Sequence, residues 1–233
     1  MPTDPFAPPA PGTVVLWGDI ACPWASLAVH RLLKARARLG LDDRVRIDHR
    51  AFALELVNSR STPKRTVEAE VAAIGAHEPT LEWQSWQGRD DEYPSTVLIA
   101  LAAVQAAKSD AVGGLAASEQ LDHALRCAWY VDSRPISLWS EVIDVARTCS
   151  AVDQDALIDE MRSGRGLAAV LDQVAAHEKA EVDGSPHLFL PDGTDVHNPG
   201  LTIAWTKDKG RGFPVIHRDD SAVYDDLLRR AAA

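Results

Sequence analysis

An apolar run, a tight turn and a Cys-Pro pair follow one another in Val14-Val15-Leu16-Trp17-Gly18-Asp19-Ile20-Ala21-Cys22-Pro23-Trp24-Ala25-Ser26-Leu27-Ala28. Val14–Trp17 reads as a short buried strand, bounded by Gly12 on one side and Gly18-Asp19 on the other. Proline is favoured at the first helical position because its missing N–H has no partner there anyway, so Pro23 marks a helix start. Cys22 then stands beside unpaired backbone N–H groups at the positive end of a helix. That setting is expected to favour thiolate over thiol. A second cysteine three residues on would complete a Cys-x-x-Cys pair, but Ala25 occupies the position.

Outward from there, Leu27, Ala28, Leu32, Ala35 and Leu39 recur near helical spacing, and Gly40 stops the helix. Val45, Ile47 and His49 alternate with Arg44, Arg46 and Asp48, which predicts a second strand running to Phe52. Strand, helix, strand is a βαβ unit, and its connection makes the two strands parallel neighbours. From about Thr66 to Ala180 no strand pattern recurs. A weak helix is expected at Glu68–Ile74 and another from Pro94, followed by helices around Leu121–Trp129, Leu138–Ala146, Asp155–Met161 and Leu167–Val174. Strand signals return at His187–Leu190, turn at Pro191-Asp192-Gly193 and pair back over Thr194–His197. Residues 200–218 read as irregular, and Ser221–Arg230 as a closing helix. The expected class is α/β, a βαβ…ββα domain over 13–62 and 181–233 with an all-helical insertion over 63–180, behind a flexible proline-rich arm at 1–12.

The 233 residues are 46% apolar and 25% charged, ordinary for a globular protein. Lys and Arg total 24 against 34 Asp and Glu, a formal charge of −10, which argues against nucleic acid or an anionic membrane as partner. The basic run Lys34-Ala35-Arg36-Ala37-Arg38 reads as a solvated helix face. The amino-terminal arm has no basic segment leading into an apolar one, no run approaches a membrane span, and the three cysteines make an odd count. Reduced thiols in the cytoplasm are the expectation.

The order βαβ, helices, β-hairpin, helix, together with three stretches, resembles the DsbA-like branch of the thioredoxin superfamily. Within it the chain is similar to the FrnE-like and 2-hydroxychromene-2-carboxylate isomerase (kappa glutathione transferase) groups. The stretches are Trp17–Trp24, the helical run Leu121–Arg126 continuing through Arg134-Pro135-Ile136-Ser137, and Val182-Asp183-Gly184-Ser185-Pro186-His187-Leu188-Phe189. The resemblance implies a thioredoxin-like fold, a cis Ser185–Pro186 bond facing the active-site helix, and a Ser185 backbone able to pair with an extended peptide or a thiol tripeptide. Dithiol members of the family attack with the first cysteine and resolve with the second, a step that Ala25 removes at this motif. The isomerase and transferase branch carries a serine-proline-aromatic-serine motif, and Cys22-Pro23-Trp24-Ala25-Ser26 fits its register with Cys in place of the first serine.

The resemblance thus implies a catalytic Cys22, with Pro23, Trp24, Ser26, Ser185 and Pro186 binding substrate or thiol, and His187 as a neighbour to watch. Cys127 and Cys149 lie in expected helices and read as structural. The eight histidines form no ligand-type spacing with cysteine or carboxylate, so no metal is expected. Glu78, Glu82, Asp90, Asp91 and Glu92 with Trp83 and Trp86 either line a cleft toward Cys22 or form a solvated loop with two core tryptophans. Three functions stand in order. First is a monothiol oxidoreductase in which Cys22 forms a mixed disulfide with a protein or small thiol. Second is a transferase or isomerase using glutathione or another low-molecular-weight thiol as co-substrate, with no tightly bound cofactor. Third is a non-catalytic binding protein of the same fold. The expected partner is a thiol-bearing protein or small molecule. The oligomeric state is open, a homodimer being one option.

Overall fold

The computed structural model describes residues 8–208 and 211–233, so Met1–Ala7 of the proline-rich arm lie outside the described residues. Strand β1 (Thr13–Gly18) leads through the Gly18-Asp19 turn into helix α1 (Pro23–Arg38), and β2 (Arg46–Ala51) returns parallel to β1 with Val14 opposite Ile47. Strand β3 (His187–Phe189) joins β1 antiparallel, and β4 (Asp195–His197) extends the sheet, giving the order β2-β1-β3-β4. The expected Pro191-Asp192-Gly193 turn connects them, with Gly193 at φ +83° and Leu190 N–H donating to the Thr194 carbonyl at 2.8 Å.

Side chains alternate across the sheet. Val14, Leu16, Ile47 and Leu188 point to one face, where Ala28 and Leu32 of α1 meet Tyr224, Leu227 and Leu228 of the closing helix α9 (Val223–Ala231). Leu16, Ile47, Leu188 and Leu228 are solvent-free, and each such burial contributes roughly 1.5–3 kcal/mol. Val15 and Trp17 point to the other face and pack with Phe52 and Val182.

Between β2 and β3 the chain is helical: α2 (Leu54–Val57), α3 (Lys64–His77), α4 (Leu98–Ala106), α5 (Gly114–Tyr130), α6 (Trp139–Ala146), α7 (Gln154–Arg162) and α8 (Arg165–Ala176). Helix α4 is apolar on nearly every side because α5, α6, α7 and α8 surround it. It begins at Leu98 rather than Pro94, and α3 is a full 14-residue helix rather than a weak segment. Asp153 caps α7 by accepting from Ala156 N–H at 3.0 Å. Among the described residues no helix is long and apolar enough to cross a membrane.

The expectation of irregular chain over 200–218 is corrected. Strand β5 (Leu201–Trp205) pairs antiparallel with β6 (Pro214–Asp219), with an irregularity in register at Thr202/Ile203. The alternation is obscured because this is a two-stranded ribbon with only one partly buried face. Leu201, Ile203 and Ile216 pack on Trp24, Leu27, Ile74 and Leu81, and Arg31 of α1 grips Asp219 of β6 with two hydrogen bonds at 2.7 and 2.9 Å. The ribbon therefore closes over the amino-terminal end of α1.

Candidate functional site

Cys22 is the N-cap of α1 (φ −95°, ψ 109°), with Pro23 in the first turn as the sequence predicts. The turn before it is held by Asp19, whose side chain is solvent-free. Asp19 Oδ1 accepts from Ala21 N–H at 2.7 Å and Oδ2 from Leu54 N–H at 2.6 Å, which ties the Cys22 turn to the start of α2. The Asp19 backbone N–H donates to Ser185 Oγ at 3.0 Å, and its carbonyl accepts from Cys22 N–H at 3.2 Å. Gly18 permits this approach. A Cβ there would stand 2.9 Å from Leu16 Cδ2 and 3.3 Å from Ala25 Cβ.

The Ser185–Pro186 peptide bond is cis. The Ser185 carbonyl accepts from Cys22 Sγ–H at 3.2 Å. Pro186 is buried, and its carbonyl accepts from Asn198 N–H at 3.1 Å, fastening the loop to the end of β4. Cys22 and Ser185 open onto a cleft of about 480 Å³. Trp24, Phe52, Leu54, Ile203 and Trp205 form its apolar walls. Thr66 and Glu70 of α3 enter from one side, and Asp183, His197 and Asn198 from the other.

The expected thiolate is not what this environment favours. Cys22 is only 6% exposed, and burial pushes its thiol up to about 11. The Glu70 carboxylate adds to the rise, and Asp19 does so to a smaller degree. A helix N-terminus carries about half a unit charge, too little to offset solvent exclusion with two carboxylates nearby. Cys22 is a neutral thiol that donates a hydrogen bond. Asp19 itself is pushed up to about 6 by burial, although two backbone N–H groups and Arg126 oppose the shift.

Two other expected site residues are engaged elsewhere. Ser26 is buried beneath α1, where its Oγ accepts from Arg126 Nη1 at 2.7 Å, and it does not line the cleft. His187 lies on β3 with its ring between Asp183 N–H (3.1 Å to Nδ1) and Asp195 Oδ1 (3.0 Å from Nε2), also away from the cleft lining. Trp24 lines the cleft, while Pro23 and Pro186 are buried and do not line it.

All three cysteines are free, and neither Cys127 nor Cys149 lines the cleft. Ala25 is fully buried. Of the loop that carried two readings, none of the named residues faces Cys22's cleft. Trp83 stacks on Tyr130 at 4.8 Å and Trp86 meets Tyr93 edge-on, while Glu78 pairs with Arg31 and Lys34, and Asp90 with Lys64.

Two elements of the site escaped the sequence. Glu70 sits in the i, i+3, i+4, i+7 series with Val67, Val71 and Ile74, so its place on the buried face of α3 was legible in the helical phase. Arg126 of α5 joins the helical region to the Cys22 turn. It makes a two-fold ion pair with Asp122 (2.7 and 3.0 Å) and donates to the Asp19 carbonyl at 3.0 Å.

No family model matches the sequence, and no curated protein sequence does. Solved structures do match in fold. A 2-hydroxychromene-2-carboxylate isomerase superposes with a TM-score of 0.57 at 16% identity, over 79% of this chain and 87% of that one. A probable DsbA oxidoreductase from Streptomyces coelicolor gives 0.59 at 21% identity, over 94% and 89%. The cytosolic disulfide reductase DsbM from Pseudomonas aeruginosa gives 0.54 at 14% identity, over 94% and 95%. With its β2-β1-β3-β4 sheet, its cysteine at the head of α1 and its helical region between β2 and β3, the chain has the DsbA-like thioredoxin fold.

Proposed function

We propose that the protein is a thiol-dependent enzyme working through Cys22 alone, exchanging disulfides with a small thiol or a thiol-bearing protein. The observation that carries this reading is a single sulfur at the floor of a cleft, hydrogen-bonded to the Ser185 carbonyl, with no second cysteine lining that cleft. In the first step Cys22 loses its proton to solvent and attacks one sulfur of a disulfide. A Cys22–partner disulfide forms and the other half leaves as a thiolate. An external thiolate then attacks the partner's sulfur, giving a new disulfide and returning Cys22 as thiolate, which takes a proton from water. A thiol that gives up its proton only near pH 11 is slow to attack and also makes Cys22 a poor leaving group, so the mixed disulfide is long-lived. External resolution suits a thiol-rich, reducing compartment such as the cytoplasm.

One observation favours a second reading, a transferase or isomerase of bound small thiols. Cys22 Sγ–H is a donor, and a donor at this position can stabilise the sulfur of a bound thiolate such as that of glutathione. Incubation with low-molecular-weight disulfides across pH 7–10, followed by intact-mass and peptide analysis, tests the proposal. A Cys22 adduct that an external thiol releases is expected, and Cys22→Ser should give none. No adduct on the folded protein at any of these pH values would overturn exchange. Cys22→Ser keeps an O–H donor, so thiol transfer to electrophiles that survives in Cys22→Ser would favour the second reading instead.

A further inference from the structure

Strand β2 is an edge of the four-stranded sheet, with β1 on one side and no strand on the other. Its even-numbered positions turn their backbone toward β1: Arg46 N–H donates to the Gly12 carbonyl at 2.8 Å and Phe52 N–H to the Gly18 carbonyl at 3.0 Å. Ile47, His49 and Ala51 therefore turn theirs outward, where a further strand would pair. Side chains of the helical region take those positions instead. Glu119 of α5 accepts from Ile47 N–H. Gln105 of α4 donates to the His49 carbonyl at 3.0 Å, and Lys108 Nζ donates to the same oxygen. Gln173 of α8 accepts from Ala51 N–H through Oε1 at 2.7 Å and donates through Nε2 to Gln105 Oε1 at 2.9 Å. Apolar packing alone could hold three helices against a strand, and buried amides and carboxylates are costly there unless each finds a partner. The partners found are the backbone groups by which an open edge recruits another chain.

We infer that this polar seam guards the edge: it withholds β2 from the β2 of a second copy of the chain, and its loss turns β2 into a docking strand for that copy. Docking requires α4, α5 and α8 to part from β2, and the seam opposes that parting with hydrogen bonds to the strand itself. The second copy is the occupant because the strand is self-complementary. Antiparallel pairing about His49 sets Ile47 opposite Ala51 and Asp48 opposite Arg50, so apolar meets apolar and acid meets base across the two-fold axis. The inference is independent of the chemistry at Cys22.

The test is sedimentation velocity of the full chain over a range of concentrations. Gln105→Leu/Gln173→Leu removes the acceptor of Ala51 N–H and a donor to the His49 carbonyl while keeping side-chain bulk. It should self-associate at least about tenfold more tightly than the native chain. Adding Ile47→Pro takes away an outward N–H that an incoming strand needs and leaves the N–H groups facing β1 in place, so association should return to the native level. That reversal separates edge pairing from instability, since a proline that merely loosened the fold would increase association. Leu157→Ala hollows the apolar core between the helices and touches none of these hydrogen bonds. It should stay at the native level of association even where its urea midpoint falls as far. A glutamine variant that associates no more tightly than Leu157→Ala, or whose association Ile47→Pro leaves undiminished, would overturn the inference. Should the double variant not fold, Gln173→Leu is compared with Gln173→Glu, which keeps an acceptor for Ala51 N–H. The glutamate variant should then associate less, and equal association by the two would overturn the inference.

Discussion

Burial against the helix N-terminus is a contest that the pH dependence of Cys22 decides. A thiol at about 11 rather than the free-cysteine value of about 8.5 has a thiolate population at pH 7 lower by about 300-fold. The more basic thiolate is also more nucleophilic, with a Brønsted slope near 0.4–0.5, which returns about tenfold. The net expectation is exchange about 30-fold slower than free cysteine at pH 7, before any steric hindrance in the cleft. The logarithm of the rate should rise with a slope of one from pH 7 through pH 10 and level only near 11. Glu70→Gln removes the second-largest cause of the shift, so levelling should begin at lower pH. The assay is pseudo-first-order reaction with bis(2-hydroxyethyl) disulfide in a Cys127→Ala/Cys149→Ala background, read by intact mass with Cys22→Ser as blank. A plateau at or below about pH 8 would refute the reasoning, because the helix N-terminus would then outweigh solvent exclusion and the carboxylates.

Stability should carry the mark of Asp19. Its acid is raised to about 6 from 3.8, so the folded state holds the proton more tightly. That contribution is fully present below about pH 4 and is lost as pH rises through 6, a change of roughly 3 kcal/mol. Urea denaturation from pH 4 to 7 should show it in the native protein and a flatter profile in Asp19→Asn, and equal slopes would contradict it. Arg126→Met leaves the buried Asp122 carboxylate without its ion pair and should cost roughly 3–5 kcal/mol in the same assay; a loss below about 1 kcal/mol would remove Arg126 as a tie between helices and turn. Gly166 of α8 lies against the backbone of α4, where a Cβ would strike the Ala102 carbonyl. Gly166→Ala should therefore lower stability by roughly 1–3 kcal/mol, whereas a neutral effect would mean the two helices are not close-packed there.

Much of the framework was legible in the chain. The apolar run, the Gly18-Asp19 turn and the Cys22-Pro23 pair are local stereochemistry, and β1, the turn and α1 follow from them directly. The helices from α5 to α8 announce themselves by apolar spacing, because each buries one stripe on a neighbour. The ribbon β5–β6 did not, since half-buried strands with one packed face leave a faint alternation. The thiol-binding role assigned to Ser26 gave way for a different reason: an arginine 100 residues away takes its hydroxyl.

What the sequence determined by itself is position: a lone cysteine capping α1, a proline behind it, and a Ser185-Pro186 loop far along the chain to meet them. What only the tertiary structure decided is charge state and company. Acidity depends on how much water reaches the sulfur and on which charges stand near it. Glu70 is 48 residues from Cys22, and neither its approach nor the closing of the cleft by β5–β6 is a local property of the chain. Spacing placed the thiol at the end of a helix. Packing made it a neutral one beside a carboxylate.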